Sequence, residues 1–180
     1  MKSLSCGLSF LLIAVLFFQF LAYSENQHPL TRSQSVLNTF QVLCTLEAFD
    51  FERLNARAEA MHMLLQEDKQ APSVQNTVMR SKSWLGFLKT GPFLLQVEEM
   101  SGAKGVSGSC AVVADVPDVD GFRTETVKDM HLKDLSPEIG HDNSRSYVWE
   151  KVYGQGTTLI IRDFKPTGRS GVMMKFLVKR

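Results

Sequence analysis

The segment CAVVADV, Cys110–Val116, places an apolar side chain at every second position. This alternation is typical of a β-strand that buries one face. Cys110 belongs to the apolar set, so a bond from its sulfur would tie the strand to whatever packs on that face. The set consists of Cys110, Val112, Ala114 and Val116.

A predicted amphipathic helix supplies a second cysteine. Leu37, Phe40 and Cys44 follow one another at spacings of three and four, which places them on one helix face. We expect this helix to run from Ser33 to Ala48. A second helix is expected after the N-cap Asp50, because the apolar residues there also step by three and four. These residues are Phe51, Leu54, Ala58, Met61 and Leu65.

The rest of the chain predicts strands and loops. The polar segment Gln66–Ser83 predicts a long loop, Phe122–Leu132 a short helix, and Lys133–Ser144 another loop. Short apolar runs separated by glycine predict further strands at Trp84–Leu88, Phe93–Val97, Tyr147–Tyr153, Thr157–Phe164 and Val172–Val178. The predicted fold class is therefore α+β, with an N-terminal helical pair packed on a mainly antiparallel sheet of five to six strands and one short additional helix.

The N-terminus has the features of a secretory signal. The apolar run FLLIAVLFFQFLA, Phe10–Ala22, is shorter than the roughly 20 residues that span a bilayer. Small residues just before Glu25 predict cleavage between Ser24 and Glu25. The expected organisation is a signal peptide at 1–24, a disordered lead-in at 25–32 and a single domain at 33–180. We expect an exported protein, periplasmic or extracellular, without a stable membrane anchor.

Cleavage changes both the charge and the cysteine count. The chain has 20 basic and 19 acidic residues, and the loss of Lys2 makes the two numbers equal. A protein that binds nucleic acid or is steered to a membrane normally carries a basic surplus, so these partners are disfavoured. Cys6 leaves with the signal, and Cys44 and Cys110 remain in an oxidising compartment. We therefore predict a Cys44–Cys110 disulfide between the first helix and the sheet. The alternative, a catalytic thiol, lacks a second cysteine nearby.

Two polar clusters contain metal-ligand residue types. The acidic segment DVPDVDG, Asp115–Gly121, lacks the spacing of a calcium loop, which favours a solvated turn. His131 and His141 have acidic neighbours but lie ten positions apart, unlike the closer pairs of zinc sites. Ser107 and Ser109 do not form a nucleophile elbow. The sequence thus predicts no metal, no cofactor and no catalytic residue.

Trp84 and Trp149 are the remaining candidates for a binding site. Their rings could line a ligand groove, because indoles combine a large apolar area with one polar group. Core packing explains the same residues and is the favoured interpretation. The question depends on whether a polar-lined pocket lies beside the rings.

Several features occur together in this chain: the signal segment, Phe40-x-x-x-Cys44 opening a helix with an alanine-rich continuation, a Trp before a strand, and the run SCAVV, Ser109–Val113. In these features the chain resembles small exported bacterial proteins of unknown function. The resemblance implies export and one disulfide. It carries no catalytic residue over to this chain.

The leading hypothesis is a non-enzymatic binding or accessory protein of the periplasm or cell exterior, whose partner is an unknown protein or a small ligand. One alternative is an exported hydrolase or metal-dependent enzyme that uses the loop with His131 and His141. Another is a secreted effector or inhibitor. The lack of catalytic motifs favours the binding hypothesis over the enzyme.

Overall fold

A computed structural model of the chain describes residues 30–46, 49–74, 77–102, 105–140, 142–164 and 170–179, with the backbone alone at 72–74. The helices are α1, Arg32–Phe40; α2, Phe51–Ala60; and α3, Val119–Asp129, and α1 continues into a π-helical turn, Gln41–Thr45. The strands are β1, Leu64–Val74; β2, Thr77–Leu88; β3, Gly91–Gly102; β4, Gly105–Asp115; β5, Glu138–Ile139; β6, Arg145–Glu150; β7, Thr157–Phe164; and β8, Gly171–Lys179.

The strands form one sheet in the order β1-β2-β3-β4-β8-β7-β6-β5. Every neighbouring pair is antiparallel. The central strand β4 pairs with β3 on one side and with the C-terminal strand β8 on the other. The described residues from Thr31 onward belong to one compact unit.

One face of the sheet, the covered face, is buried against the helices. The register aligns one residue from each of six neighbouring strands in a row across this face. Each side chain in the row is at most 5% exposed, so the row forms the centre of the core. Leu37, Phe40 and Phe122 of the helices belong to the same core. From β2 to β6 the row is Trp84, Leu95, Val112, Met174, Ile161 and Tyr147.

Two glycines of the covered face allow aromatic rings to approach the sheet. A Cβ at Gly86 would lie 2.3 Å from Phe93 Cζ, because the Phe93 ring lies over its cross-strand partner. A Cβ at Gly108 would lie 2.1 Å from Phe49 Cε1. The absence of a side chain at these two positions is therefore part of the packing of the core.

The predicted disulfide is present. Cys44 lies in the π-helical turn after α1 and Cys110 in β4, with their Cα atoms 5.4 Å apart. Both side chains are at most 4% exposed. The bond joins the helical layer to the central strand of the sheet, as the shared faces of the two cysteines predict.

The predicted fold class is wrong in its proportions and in its helical pair. In the part of the chain that the structure describes, the sheet has eight strands instead of five or six, and it dominates the fold. The two N-terminal helices have different partners, since α1 contacts α3 and β4 whereas α2 contacts β3. The helices are therefore a cover for one face of a large sheet.

The predicted loop Gln66–Ser83 is also wrong, because most of it belongs to β1 and β2. Leu64 to Ala71 of β1 are exposed on both faces of the sheet. When both faces of a strand are solvated, burial does not impose an alternation of apolar and polar residues. The sequence of β1 therefore lacks the period of two that identifies a half-buried strand. Glu67, Asp68 and Lys69 place charges on this edge strand, a pattern that discourages edge-to-edge pairing.

The second predicted helix is too long. Asp50 is its N-cap as expected, accepting a hydrogen bond from Arg53 N at 3.1 Å. Phe51, Leu54 and Ala58 are buried, but the helix ends at Ala60. Met61 and Leu65 are 48% and 54% exposed, so they do not extend the buried helix face.

The later elements lie close to their predicted positions. Thr157–Phe164 has the predicted bounds, and the last strand and α3 differ by one to three residues. The strand predicted at Tyr147–Tyr153 ends at Glu150, and the short β5 lies within the predicted loop Lys133–Ser144. The predicted signal, the cleavage point between Ser24 and Glu25 and most of the lead-in 25–32 lie outside the described residues. Within the described ranges, no helix has the length and apolar character needed to cross a bilayer.

Candidate functional site

Trp84 and Trp149 are both buried in the core and lie far apart. They are 2% and 5% exposed, and four strands separate β2, which carries Trp84, from β6, which carries Trp149. The Trp149 indole stacks on Tyr147 with the ring centroids 6.2 Å apart, and its Nε1 donates to the Lys133 carbonyl at 2.7 Å. The structure therefore does not bring the two rings together around one groove.

His131 has a backbone role at the end of α3. Its φ of 52° lies in the left-handed region, and the next amide, Leu132 N, donates to Val127 O at 2.8 Å. This is the Schellman arrangement that closes a helix, in which glycine is the usual residue. His62 ends α2 in the same way, with a φ of 53°. His141 lies outside the described residues.

The acidic segment Asp115–Gly121 is divided among separate partners. Asp115 pairs with Arg32 at 3.1 Å, and Asp120 pairs with Arg145 at 2.9 Å. Asp118 is the N-cap of α3 and accepts from Gly121 N at 2.9 Å. Among the described residues, no three His, Cys, Asp or Glu side chains are grouped so that they could hold a metal ion.

An ion-pair network lies in a cleft at one end of β6 and β7. Asp142 accepts hydrogen bonds from Ser144 Oγ at 2.6 Å and Arg162 Nη2 at 2.8 Å. The bonds from Ser144 and the charge of Arg162 hold the pKa of Asp142 below its usual range. Asp163 binds Arg145 and, through this hydrogen bond, raises the pKa of the guanidinium. Asp142 and Arg145 therefore stay charged near neutral pH, which fits ion pairing between elements better than acid–base catalysis.

The second face of the sheet, the open face, carries a row of apolar side chains that do not belong to the core. The register aligns one residue from each of five neighbouring strands, and we call this row the apolar stripe. None of the five belongs to the core or packs against it. At ~4.8 Å between strands, the stripe is about 19 Å long. Its residues are Leu64, Leu85, Leu94, Val113 and Met173.

The exposure of the apolar stripe makes it available for contact. Leu64 at one end is 54% exposed, and the other four side chains are partly exposed. Phe87 extends the apolar surface beside Leu85 and is 67% exposed. Single exposed apolar residues are ordinary, but a contiguous set on one face is typical of an interaction surface.

A charged pair lies next to the apolar stripe, across the central strand. Lys175 Nζ in β8 donates to Glu98 Oε2 in β3 at 2.7 Å, and Ser109 Oγ in β4 donates to the same oxygen at 2.8 Å. Partial burial raises the pKa of Glu98, but the bonds from Lys175 and Ser109 outweigh it, and the pKa lies below the usual 4.5. Glu98 is therefore charged at neutral pH and forms an ion pair with Lys175.

A scan against protein-family models and searches of curated proteins and of solved structures find no match to this chain.

The open face was not among the sites predicted from the sequence, although the sequence contains a signal for it. The strand predictions used only the alternate residues that point to the core. In several strands, however, two apolar residues are adjacent: Leu64-Leu65, Leu94-Leu95, Val112-Val113, Ile160-Ile161 and Met173-Met174. Adjacent apolar residues in a strand point to opposite faces, so these doublets indicate a sheet that is apolar on both sides.

Proposed function

We propose that this chain is an exported, non-enzymatic binding protein of the periplasm or cell exterior, and that it binds a protein partner through the open face. The observation that carries the proposal is the apolar stripe from Leu64 to Met173. In an antiparallel sheet covered by helices on one side, the other side is commonly polar and solvated. Here five adjacent strands contribute an apolar residue to it.

The size of the open face favours a protein over a small ligand. Six strands at ~4.8 Å spacing and about nine residues long cover roughly 800 Å². A standard protein interface buries about this area on each partner. Small-molecule sites, in contrast, are concave and enclose most of the ligand. The cavity beside the disulfide, lined by Leu43, Cys44 and Leu54 among others, holds about 10 Å³. The cleft at the end of β6 and β7 is larger, about 860 Å³, but it is lined mainly by charged and polar groups that bind one another.

The charge of the open face also favours a protein partner. Its central Lys175 and Glu98 neutralise each other, and Arg162 at the end of the apolar stripe is paired with Asp142. Such a surface has no net charge with which to attract a polyanion or an acidic membrane. An apolar surface with a few balanced charges is the usual composition of a protein interface core and its rim.

Site-specific photocrosslinking in the producing cell tests this proposal. A photoreactive phenylalanine analogue replaces Phe87 on the open face, and a matched control carries it at Ile139 in β5, away from the apolar stripe. The two side chains are 67% and 65% exposed, so both positions are equally accessible. We expect a discrete protein adduct from position 87 and none from position 139. Equal products from the two positions, or none from position 87, would contradict the proposal.

A further inference from the structure

We infer that the protein partner of the open face is a second copy of this chain, so that two sheets pack face to face in a symmetric dimer. This inference rests on the proposed function, because it uses the same surface. It depends on the arrangement of Glu98 and Lys175 around β4 and on the area of the face.

Glu98 and Lys175 lie on opposite sides of the central strand. Glu98 is in β3, opposite Ser109 of β4, and Lys175 is in β8, opposite Ala111 of β4. A twofold axis parallel to β4 exchanges the β3 side with the β8 side. In such a dimer, Lys175 of each copy faces strand β3 of the other copy. It lies only two residues along β4 from the level of that copy's Glu98.

The same axis brings the three central residues of the two apolar stripes together, whereas Leu85 and Leu64 face Arg162 and Ser146 of the second copy. Val113 of β4 is in the stripe and lies on the axis, while Leu94 of β3 and Met173 of β8 lie at equal distances on either side. Leu94 of one copy therefore meets Met173 of the other. An isologous interface requires this kind of self-complementary surface, in which each contact occurs twice. Sheets that pack in this way lie about 10 Å apart with interleaved side chains.

The area and polarity of the face suit a dimer. The roughly 800 Å² estimated from strand spacing is what each partner of a standard interface buries. Homodimer interfaces are more apolar than transient ones, and the apolar stripe supplies that character. Glu98 retains 45% and Lys175 24% of its side-chain exposure, so both can reach a second molecule.

Charge-reversal variants test self-association directly. Lys175→Glu leaves two acidic side chains at the centre of the face, and Glu98→Lys leaves two basic ones. We expect the purified mature wild-type chain to sediment as a dimer at about 100 µM, well above a micromolar dissociation constant. Each variant alone should dissociate about tenfold more readily or worse, because like charges then face each other. An equimolar mixture of the two variants should recover the dimer, since acidic and basic faces then meet.

A matched pair of leucines controls for the apolar contacts. Leu64 is on the open face and Leu65 on the covered face, and both are 54% exposed. We expect Leu64→Glu to weaken the dimer and Leu65→Glu to leave it unchanged, with both variants folded by thermal unfolding. A wild-type chain that sediments as a monomer, or a charge-reversed mixture that associates no better than its components, overturns the inference. A monomer whose position 87 crosslinks to a different protein refutes the dimer and leaves the proposed function standing.

Discussion

Cys44 and Cys110 connect the two layers of the fold, 66 positions apart in sequence and with 5.4 Å between their Cα atoms. Closing a loop of this length stabilises the folded state by about 4 kcal/mol in the chain-entropy model. The net stability of a small domain is only about 5–15 kcal/mol. We therefore expect Cys44→Ser/Cys110→Ser to lose about 4 kcal/mol of unfolding free energy and to unfold at a lower urea concentration than the oxidised protein. Urea unfolding with and without reductant measures the difference, and identical midpoints for the wild-type chain in both conditions would contradict this account.

Glycine should stabilise the fold at the two positions of left-handed backbone conformation that end α2 and α3. His62 and His131 have φ values of 53° and 52°, where a side chain with a Cβ is strained by roughly 1 kcal/mol. We expect His62→Gly and His131→Gly each to raise the free energy of unfolding by about 0.5–1 kcal/mol. Alanine at the same positions keeps the strain and is the matched control. A loss of stability in the glycine variants, relative to alanine, would show that the imidazoles make contacts of their own.

The approach of Phe49 to the sheet depends on Gly108. A Cβ there would lie 2.1 Å from the ring, so Gly108→Ala forces the ring or the strand to move. Overpacking of this kind costs about 1–3 kcal/mol. The double variant Gly108→Ala/Phe49→Leu should be less destabilised than the sum of its single variants, because the smaller side chain makes room. Additive free energies of unfolding would indicate that the two positions do not interact.

The pKa of Glu98 makes a small part of the stability depend on pH. Its folded-state pKa lies below the usual 4.5, because the bonds from Lys175 and Ser109 exceed the opposing effect of burial. The stabilisation is therefore present above pH 4.5 and is lost as the pH falls through the folded-state pKa. Its size is less than about 1 kcal/mol, since the carboxylate is partly exposed.

Two variants check this pH dependence. Glu98→Gln should unfold more easily than the wild-type chain at neutral pH, and the difference should vanish in acid. Ser109→Ala removes one donor and should raise the pKa of Glu98 toward its usual value in an NMR titration. A Glu98 resonance that titrates at the usual pH in the wild-type chain would contradict the geometry of this pair.

The sequence predicts the parts of this fold in which burial on one side imposes a period. The alternation at Cys110–Val116, the stripe at Leu37, Phe40 and Cys44, and the cap at Asp50 all led to correct local structure. The prediction of the fold class was wrong where no such period exists. β1 is exposed on both faces, so its sequence resembles a polar loop.

The open face could not be found by looking for alternation. In β3, β4 and β8 the residues facing the core are strongly apolar. A search for alternating apolar residues therefore finds this set and misses the second apolar set that lies between its members. Only the cross-strand register shows that Leu94, Val113 and Met173 are neighbours. That register depends on contacts between residues far apart in sequence, which a single strand does not record.

The most direct test of an open-face interface compares the affinities of two leucine variants for the partner. Leu64→Glu and Leu65→Glu place the same charge at adjacent, equally exposed positions on opposite faces of β1. With the partner identified by crosslinking, whether a second copy or another protein, the dissociation constant of its complex is measured for both variants. An open-face interface predicts that Leu64→Glu weakens the complex about tenfold or more, whereas Leu65→Glu binds as the wild-type chain does. Equal affinities of the two variants, or a larger loss with Leu65→Glu, would contradict the assignment of function to the open face.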